Sequence, residues 1–133
     1  KGLIVIADDF RRVQKLVAPL TAPQRARALA AWPGPHTWLL PASRRTPPWL
    51  RGRHATLAVR VSAHPVAAGL CRALAMALVS TSANRAGQRP LKSAAACRRA
   101  FGPDVLVVPG KIGTRRRPSA IEELLSGRVA RPG

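Results

Sequence analysis

Residues 77 to 84 read Ala77-Leu78-Val79-Ser80-Thr81-Ser82-Ala83-Asn84, an apolar run that ends in three hydroxyls and an amide shortly before Gly87. A buried strand over Ala77 to Val79 would deliver Ser80, Thr81, Ser82 and Asn84 to its exposed C-terminal edge, and such a pocket of neutral hydrogen-bonding groups suits an anionic ligand. The chemistry that is missing narrows the field further. The five acids are Asp8, Asp9, Asp104, Glu122 and Glu123, and none pairs convincingly with another acid or a histidine in a pocket. Two-carboxylate hydrolysis and a protein-caged metal cluster are therefore disfavoured. No Gly-x-x-x-x-Gly-Lys-Ser/Thr, Gly-x-Gly-x-x-Gly or Gly-x-Ser-x-Gly motif occurs. Any catalysis must rest on positioning substrates and neutralising their charge with arginine, hydroxyl and backbone donors.

Charge points the same way. The chain of 133 residues carries 23 Lys and Arg against 5 Asp and Glu, a net charge of +18, nearly all of it arginine. Such a surface attracts RNA, nucleotides or pyrophosphate, and arginine grips phosphate and carboxylate through a bidentate fork. A composition rich in Ala, Arg, Pro and Gly also fits a GC-rich coding sequence in which lysines have drifted to arginine, so charge alone does not name the ligand. The Arg115-Arg116-Arg117 run reads as a solvated loop. Cys71 and Cys97 lie far apart with no Cys-x-x-Cys or histidine spacing, so they read as small core or semi-buried side chains.

The elements that must position these groups alternate. At 47% hydrophobic, the chain can bury one core, and a single domain is expected. Leu3 to Ala7 reads as a strand. Asp9 to Leu20 has the spacing of an amphipathic helix, with Phe10, Val13, Leu16 and Val17 on one side. Thr21-Ala22-Pro23 starts a helix through Gln24 to Trp32, which Pro33-Gly34-Pro35 stops. His36 to Pro41 and Thr56 to Ser62 read as strands, separated by a proline-rich loop from Ser43 to Arg53. His64-Pro65 begins a helix through Ala75, the buried strand follows, and Ser93 to Phe101 is a helix stopped by Gly102-Pro103. Val105 to Val108 is a strand, and Ser119 to Leu125 pairs with Arg128 to Arg131 around Ser126-Gly127. The fold class is α/β, with flanking helices on a twisted sheet made mixed by its final hairpin. His36 and His64 shape a turn and a helix start, and Trp32, Trp38 and Trp49 are core or loop anchors. No apolar stretch is long enough to cross a bilayer and no signal peptide is visible, so a cytoplasmic location is expected.

Five segments fit one anion-binding pocket: Trp32-Pro33-Gly34-Pro35-His36-Thr37, Thr56-Leu57-Ala58-Val59-Arg60-Val61, Ser80-Thr81-Ser82-Ala83-Asn84, Pro118-Ser119-Ala120-Ile121 and Arg131-Pro132-Gly133. In this order and spacing they resemble the YrdC/Sua5 family of threonylcarbamoyl-AMP synthases, and the opening Lys-Gly-Leu-Ile-Val-Ile-Ala resembles the short bacterial form. The resemblance spans the chain. It implies a YrdC-like fold with a basic concave pocket. The implied activity condenses L-threonine, bicarbonate and ATP into threonylcarbamoyl-adenylate and pyrophosphate, on the way to N6-threonylcarbamoyladenosine in tRNAs. It also implies Mg²⁺ carried with ATP and a product passed to the tRNA threonylcarbamoyl-transferase complex; weak RNA binding through the arginines and no membrane association are expected from charge and hydropathy. By the same resemblance Arg60, Ser80 and Ser119 are threonine-binding, Thr56, Ser82, Asn84 and Arg131 are ATP-binding, and no residue is assigned as catalytic.

Family members carry a Pro-Thr-Glu-Thr-like strand end and a Lys-x-Arg motif upstream of the position of Lys1. Neither occurs in residues 1–133, so the expectation is one YrdC-like domain lacking its N-terminal portion, inactive by itself. Two alternative readings are an RNA-binding module of the same fold and an inactive fragment of the synthase.

Overall fold

Alternation in Thr56-Leu57-Ala58-Val59-Arg60-Val61 sets the architecture. Leu57, Val59 and Val61 are buried on one side of β3 (Thr56–Val61), which leaves Thr56, Ala58 and Arg60 on the other. The computed structural model describes residues 2–115 and 117–133. Lys1 and Arg116, the middle of the expected arginine loop, lie outside the described residues.

Two compact units are delimited, Lys1–Ser80 with Arg116–Gly133, and Thr81–Arg115. The first contains a six-stranded mixed sheet in the order β4-β1-β3-β2-β5-β6. Its strands are β1 (Ile4–Ala7), β2 (His36–Pro41), β3, β4 (Leu78–Ser80), β5 (Ala120–Glu123) and β6 (Val129–Arg131). β1 runs parallel to β3 and β2 parallel to β5, while the β2–β3, β1–β4 and β5–β6 pairs are antiparallel. The expected final hairpin is present, with Gly127 at φ +73 in its turn, where a side chain would be strained.

The core lies on one side of this sheet. Val5, Ala7, Trp38, Leu40, Leu57, Val59 and Val61 pack with Phe10, Val13, Val17, Ala28 and Trp32 from the connections. Helix α1 (Ala22–Ala30) starts as the sequence predicts, with Thr21 and Gln24 forming a reciprocal capping box. After it, Trp32 Nε1 donates to the His36 carbonyl at 2.8 Å, and Gly34 N–H donates to the Val61 carbonyl at 3.0 Å. A Cβ at Gly34 would stand 2.7 Å from the Ala31 carbonyl oxygen, so only glycine fits this corner. Helix α2 (Pro48–Arg51) interrupts the expected proline-rich loop and buries Leu50. Helix α3 (Pro65–Leu74) begins as expected, His64 Nδ1 accepting from Val66 N–H at 3.2 Å. Cys71 is buried and Cys97 partly so, both as free thiols.

Four expectations need correction. Residues 9–20 form two short 3₁₀ turns, Phe10–Arg12 and Gln14–Leu16, not an α-helix. Asp9 caps the first, i to i+3 bonds link Val13 to Phe10 and Leu16 to Val13, and Val17 then extends into a bridge with Ala42. Pro19 disfavours helical backbone at Ala18, so the segment is too short for a stable α-helix, yet its spacing still buries Phe10, Val13 and Val17. The strand at Ala77–Val79 is not a buried one. It is the edge strand β4, with one neighbour and with Val79 48% exposed. Trp49 anchors no core, being 67% exposed on α2.

The fourth correction falls in the second unit. Val105–Val108 forms no strand, and Leu106 is 87% exposed, because β propensity without a partner ladder does not make a strand. That unit holds α4 (Ala94–Phe101), capped by Ser93 Oγ accepting from Ala96 N–H at 3.1 Å. Arg85 lies over the Phe101 ring and donates to the Ala100 carbonyl at 3.2 Å.

At the C-terminal end of β1, Arg12 donates two hydrogen bonds to Asp8, and Arg72 stands 3.9 Å from it. The Arg12 hydrogen bonds hold the Asp8 carboxyl below the ordinary carboxylate range against the opposing effect of burial. A carboxyl lowered on folding stabilises fully above its unfolded pKa, and the contribution disappears as pH falls through the folded value. Asp8→Asn is therefore expected to be less stable than the parent at neutral pH, with the gap closing below about pH 4. Melting temperatures measured from pH 7 to pH 2 test this, and a constant gap across that range contradicts it.

Candidate functional site

The side of the sheet opposite the core carries the polar residues. Pairing registers align Ile6 with Arg60 across β1 and β3, and Thr37 with Ile121 and Arg131 across β2, β5 and β6, and continuing the β2–β3 ladder one residue past Trp38 and Val59 joins the two groups into one row. Directly opposed residues share a face, so these side chains project together. The next row contains Ser80, Ile4 and Ala58, and Thr56 lies at the far end of β3, roughly 13 Å from Arg60 at strand rise.

Three of the residues expected from the sequence converge. Arg60 Nη1 donates to Ser119 Oγ. Arg131 Nε and Nη2 donate to the Ser119 carbonyl at 3.1 and 2.8 Å. Ser119, immediately before β5, thus takes one guanidinium on its side chain and another on its backbone. Burial lowers the pKa of Arg60, and the nearby charge of Arg131 lowers it further. Its Nε is buried and has no hydrogen-bond partner.

Among the described residues neither guanidinium forms an ion pair with a carboxylate. Among the described residues, Asp8 pairs with Arg12 and Arg72, Asp9 with Arg11, Glu122 with Arg27 at 2.7 Å, and Glu123 with Arg128 at 3.4 Å. Two converging guanidiniums, one of them partly desolvated and lacking an acid, form a receptor for a carboxylate or phosphate. Four of the five acids are held by arginines, Asp104 being the exception, and no cluster of three or more His, Cys, Asp or Glu among the described residues could hold a metal ion.

Ser80 and Thr56 share this face without touching the Arg60–Ser119–Arg131 cluster in any hydrogen bond. Ser82 and Asn84 belong to the second unit. There Ser82 is exposed, Asn84 N–H donates to the Ser82 carbonyl at 2.9 Å, and Asn84 Oδ1 is buried without a partner. Thr37, which closes the Trp32-to-Thr37 segment of the expected pocket but has no assigned role in it, lies fully buried on the Arg60 face. The signal that would have found it is the facing alternation of β2 and β3.

A different cleft of about 920 Å³ is lined by Asp8, Asp9, Arg11, Arg12, Lys15 and Arg72, among others. Three of its four basic side chains, Arg11, Arg12 and Arg72, already face Asp8 and Asp9, and none of the residues assigned to threonine or ATP lines it. No helix among the described residues is long and apolar enough to cross a membrane.

The whole chain, residues 1–133, matches the family model Sua5/YciO/YrdC, described as telomere recombination. It is 65% identical over 131 residues to a threonylcarbamoyl-AMP synthase of Chromobacterium violaceum, covering 98% of this chain and 68% of that protein. Two solved structures of Sua5 from P. abyssi are similar at 27% identity. A double variant matches with a TM-score of 0.89 over 99% of this chain, and a complex with L-threonine with a TM-score of 0.78 over 92%. This chain spans only 41% and 36% of those two solved chains.

Proposed function

The chain belongs to the Sua5/YciO/YrdC family, and from that membership we propose that it is the YrdC-like domain of a threonylcarbamoyl-AMP synthase, acting in tRNA modification. The observation that carries the reading is Arg60, a half-buried cation whose Nε is buried and which pairs with no acid among the described residues, sharing Ser119 with Arg131. L-threonine, bicarbonate and ATP are the substrates. The threonine amine takes up bicarbonate as a carbamate with loss of water, and a carbamate oxygen then attacks the α-phosphorus of ATP. The bond to the β-phosphate oxygen breaks, so threonylcarbamoyl-adenylate and pyrophosphate leave.

Arg60 holds the threonine carboxylate, with Ser80 and Ser119 as further threonine contacts. Thr56, Ser82, Asn84 and Arg131 serve the nucleotide. This assignment needs no side-chain nucleophile, since the carbamate is the nucleophile and the protein's part is alignment and charge neutralisation. ATP enters as its Mg²⁺ complex. With four of the five acids engaged by arginines, the phosphate oxygens would supply most of the metal's ligands. The same reading has the protein act in the cytoplasm, upstream of the complex that transfers the threonylcarbamoyl group to tRNA, as a tRNA-modification role would require.

Pyrophosphate release that requires threonine and bicarbonate together is the direct test. Release indifferent to threonine rejects the reading. The split of roles has its own test: Ser82→Ala weakens ATP binding by about tenfold and threonine little, and Ser119→Ala does the reverse. Calorimetric titration of each ligand separately measures both, and equal losses for both ligands in both variants refute the split. The charge of +18 favours a second reading, binding of RNA through its phosphates. RNA affinity that far exceeds ATP affinity and falls steeply with salt would support it.

A further inference from the structure

Arg60 Nε and Thr37 Oγ1 are both buried on the substrate-facing side of the sheet, and neither has a hydrogen-bond partner. The first is a donor, and the second can accept. The ladder sets Trp38 against Val59 and Pro41 against Thr56, and continued by one residue it puts Thr37 opposite Arg60, with both side chains on one face by strand alternation. Cβ atoms of directly opposed residues lie about 4.5–5.5 Å apart, within easy reach of a flexible arginine. His36, whose Nε2 stands 3.5 Å from Glu122 Oε2, and Trp38, whose Nε1 has no hydrogen-bond partner, alternate with Thr37 and project to the other side. Thr37 is 0% exposed, so bulk water does not satisfy its hydroxyl. A complementary pair of orphaned groups on neighbouring strands calls for an explanation.

We propose that Thr37 is a positioning residue for Arg60, its Oγ1 accepting a hydrogen bond from Arg60 Nε when a substrate carboxylate occupies the guanidinium. The inference rests on the reading of Arg60 as the carboxylate-binding residue. Ser119 Oγ already takes Nη1. With Thr37 on Nε, the planar head is braced on two flanks from two different strands, and its Nη1–Nη2 edge presents two parallel N–H groups to the carboxylate. A guanidinium held in this plane meets the carboxylate without first losing rotational freedom, so Thr37 acts on threonine affinity and not on ATP.

Thr37→Val keeps the shape and removes the hydroxyl. The expected result is a threonine KM raised about tenfold with the ATP KM unchanged. The melting temperature stays equal or rises, because a methyl replaces an orphaned buried hydroxyl. Thr37→Ser restores the threonine KM to within about twofold of the parent, and in an Arg60→Lys background, which lacks the Nε donor, Thr37→Val has no further effect. An unchanged threonine KM in Thr37→Val, an equal rise for both substrates, or an undiminished effect in the Arg60→Lys background overturns the proposal. If Arg60→Ala leaves threonine binding intact, the reading of Arg60 itself fails. Loss of threonine binding in Arg60→Ala with none in Thr37→Val removes only the role of Thr37.

Discussion

Arg60→Ala abolishes threonine-dependent pyrophosphate release, lowering kcat/KM for threonine by roughly 10²–10³-fold, the scale of losing a preorganised charged donor at a reacting ligand. The fold is expected to survive. Arg60 stands on the polar side of β3, its head bonds Ser119, and among the described residues no carboxylate pairs with it. Removing a cation that burial already disfavours also relieves a desolvation cost. A coupled pyrophosphate assay beside a thermal melt separates the two effects. Wild-type turnover at ordinary threonine concentrations in a folded variant would remove Arg60 from the site.

Leu57→Ala produces the opposite pattern. Leu57 is fully buried on the core side of β3, paired in register with the equally buried Leu40. Truncation removes apolar burial and leaves a cavity in a close-packed layer, at a cost of about 2–5 kcal/mol. For a domain of this size that is a fall in melting temperature of roughly 8–20 °C. Leu57→Met, which conserves volume, costs less than about 1.5 kcal/mol. Leu57 adjoins Thr56, and its strand carries Arg60, so loosening β3 weakens threonine and ATP together, where Arg60→Ala singles out threonine. A melt within a degree or two of the parent would show that the β2–β3 pair is not the centre of the core.

Much of the fold is legible in local chemistry. The alternation of Thr56 to Val61 is period-two and names its own buried face, and Thr21-Ala22-Pro23-Gln24 spells a capping box that the structure forms. His64-Pro65 and Ser93 start helices, and Ser126-Gly127 turns a hairpin, because each satisfies backbone groups within a few residues. Local signals fail where the outcome depends on distant partners. Residues 9–20 have helical spacing, but the cap at Asp9 and the docking of Val17 on Ala42 leave room only for 3₁₀ turns. The run at Ala77–Val79 is apolar enough for a buried strand, yet its place at the sheet edge exposes Val79. Val105–Val108 has strand composition and no ladder.

The candidate site divides along the same line. Its chemistry is in the sequence, since a chain with 23 basic and 5 acidic residues and with hydroxyls clustered after strands is suited to anions wherever it folds. Which groups meet is a property of strand order alone. Arg60 and Ser119 stand 59 residues apart, and they touch because β5 lies beside β2 and β2 beside β3. The same order brings Arg131 onto the Ser119 carbonyl and sets Thr37 opposite Arg60. Periodicity and capping are decided by neighbours along the chain, whereas a binding site is decided by neighbours across the sheet, and those exist only once the strands have paired.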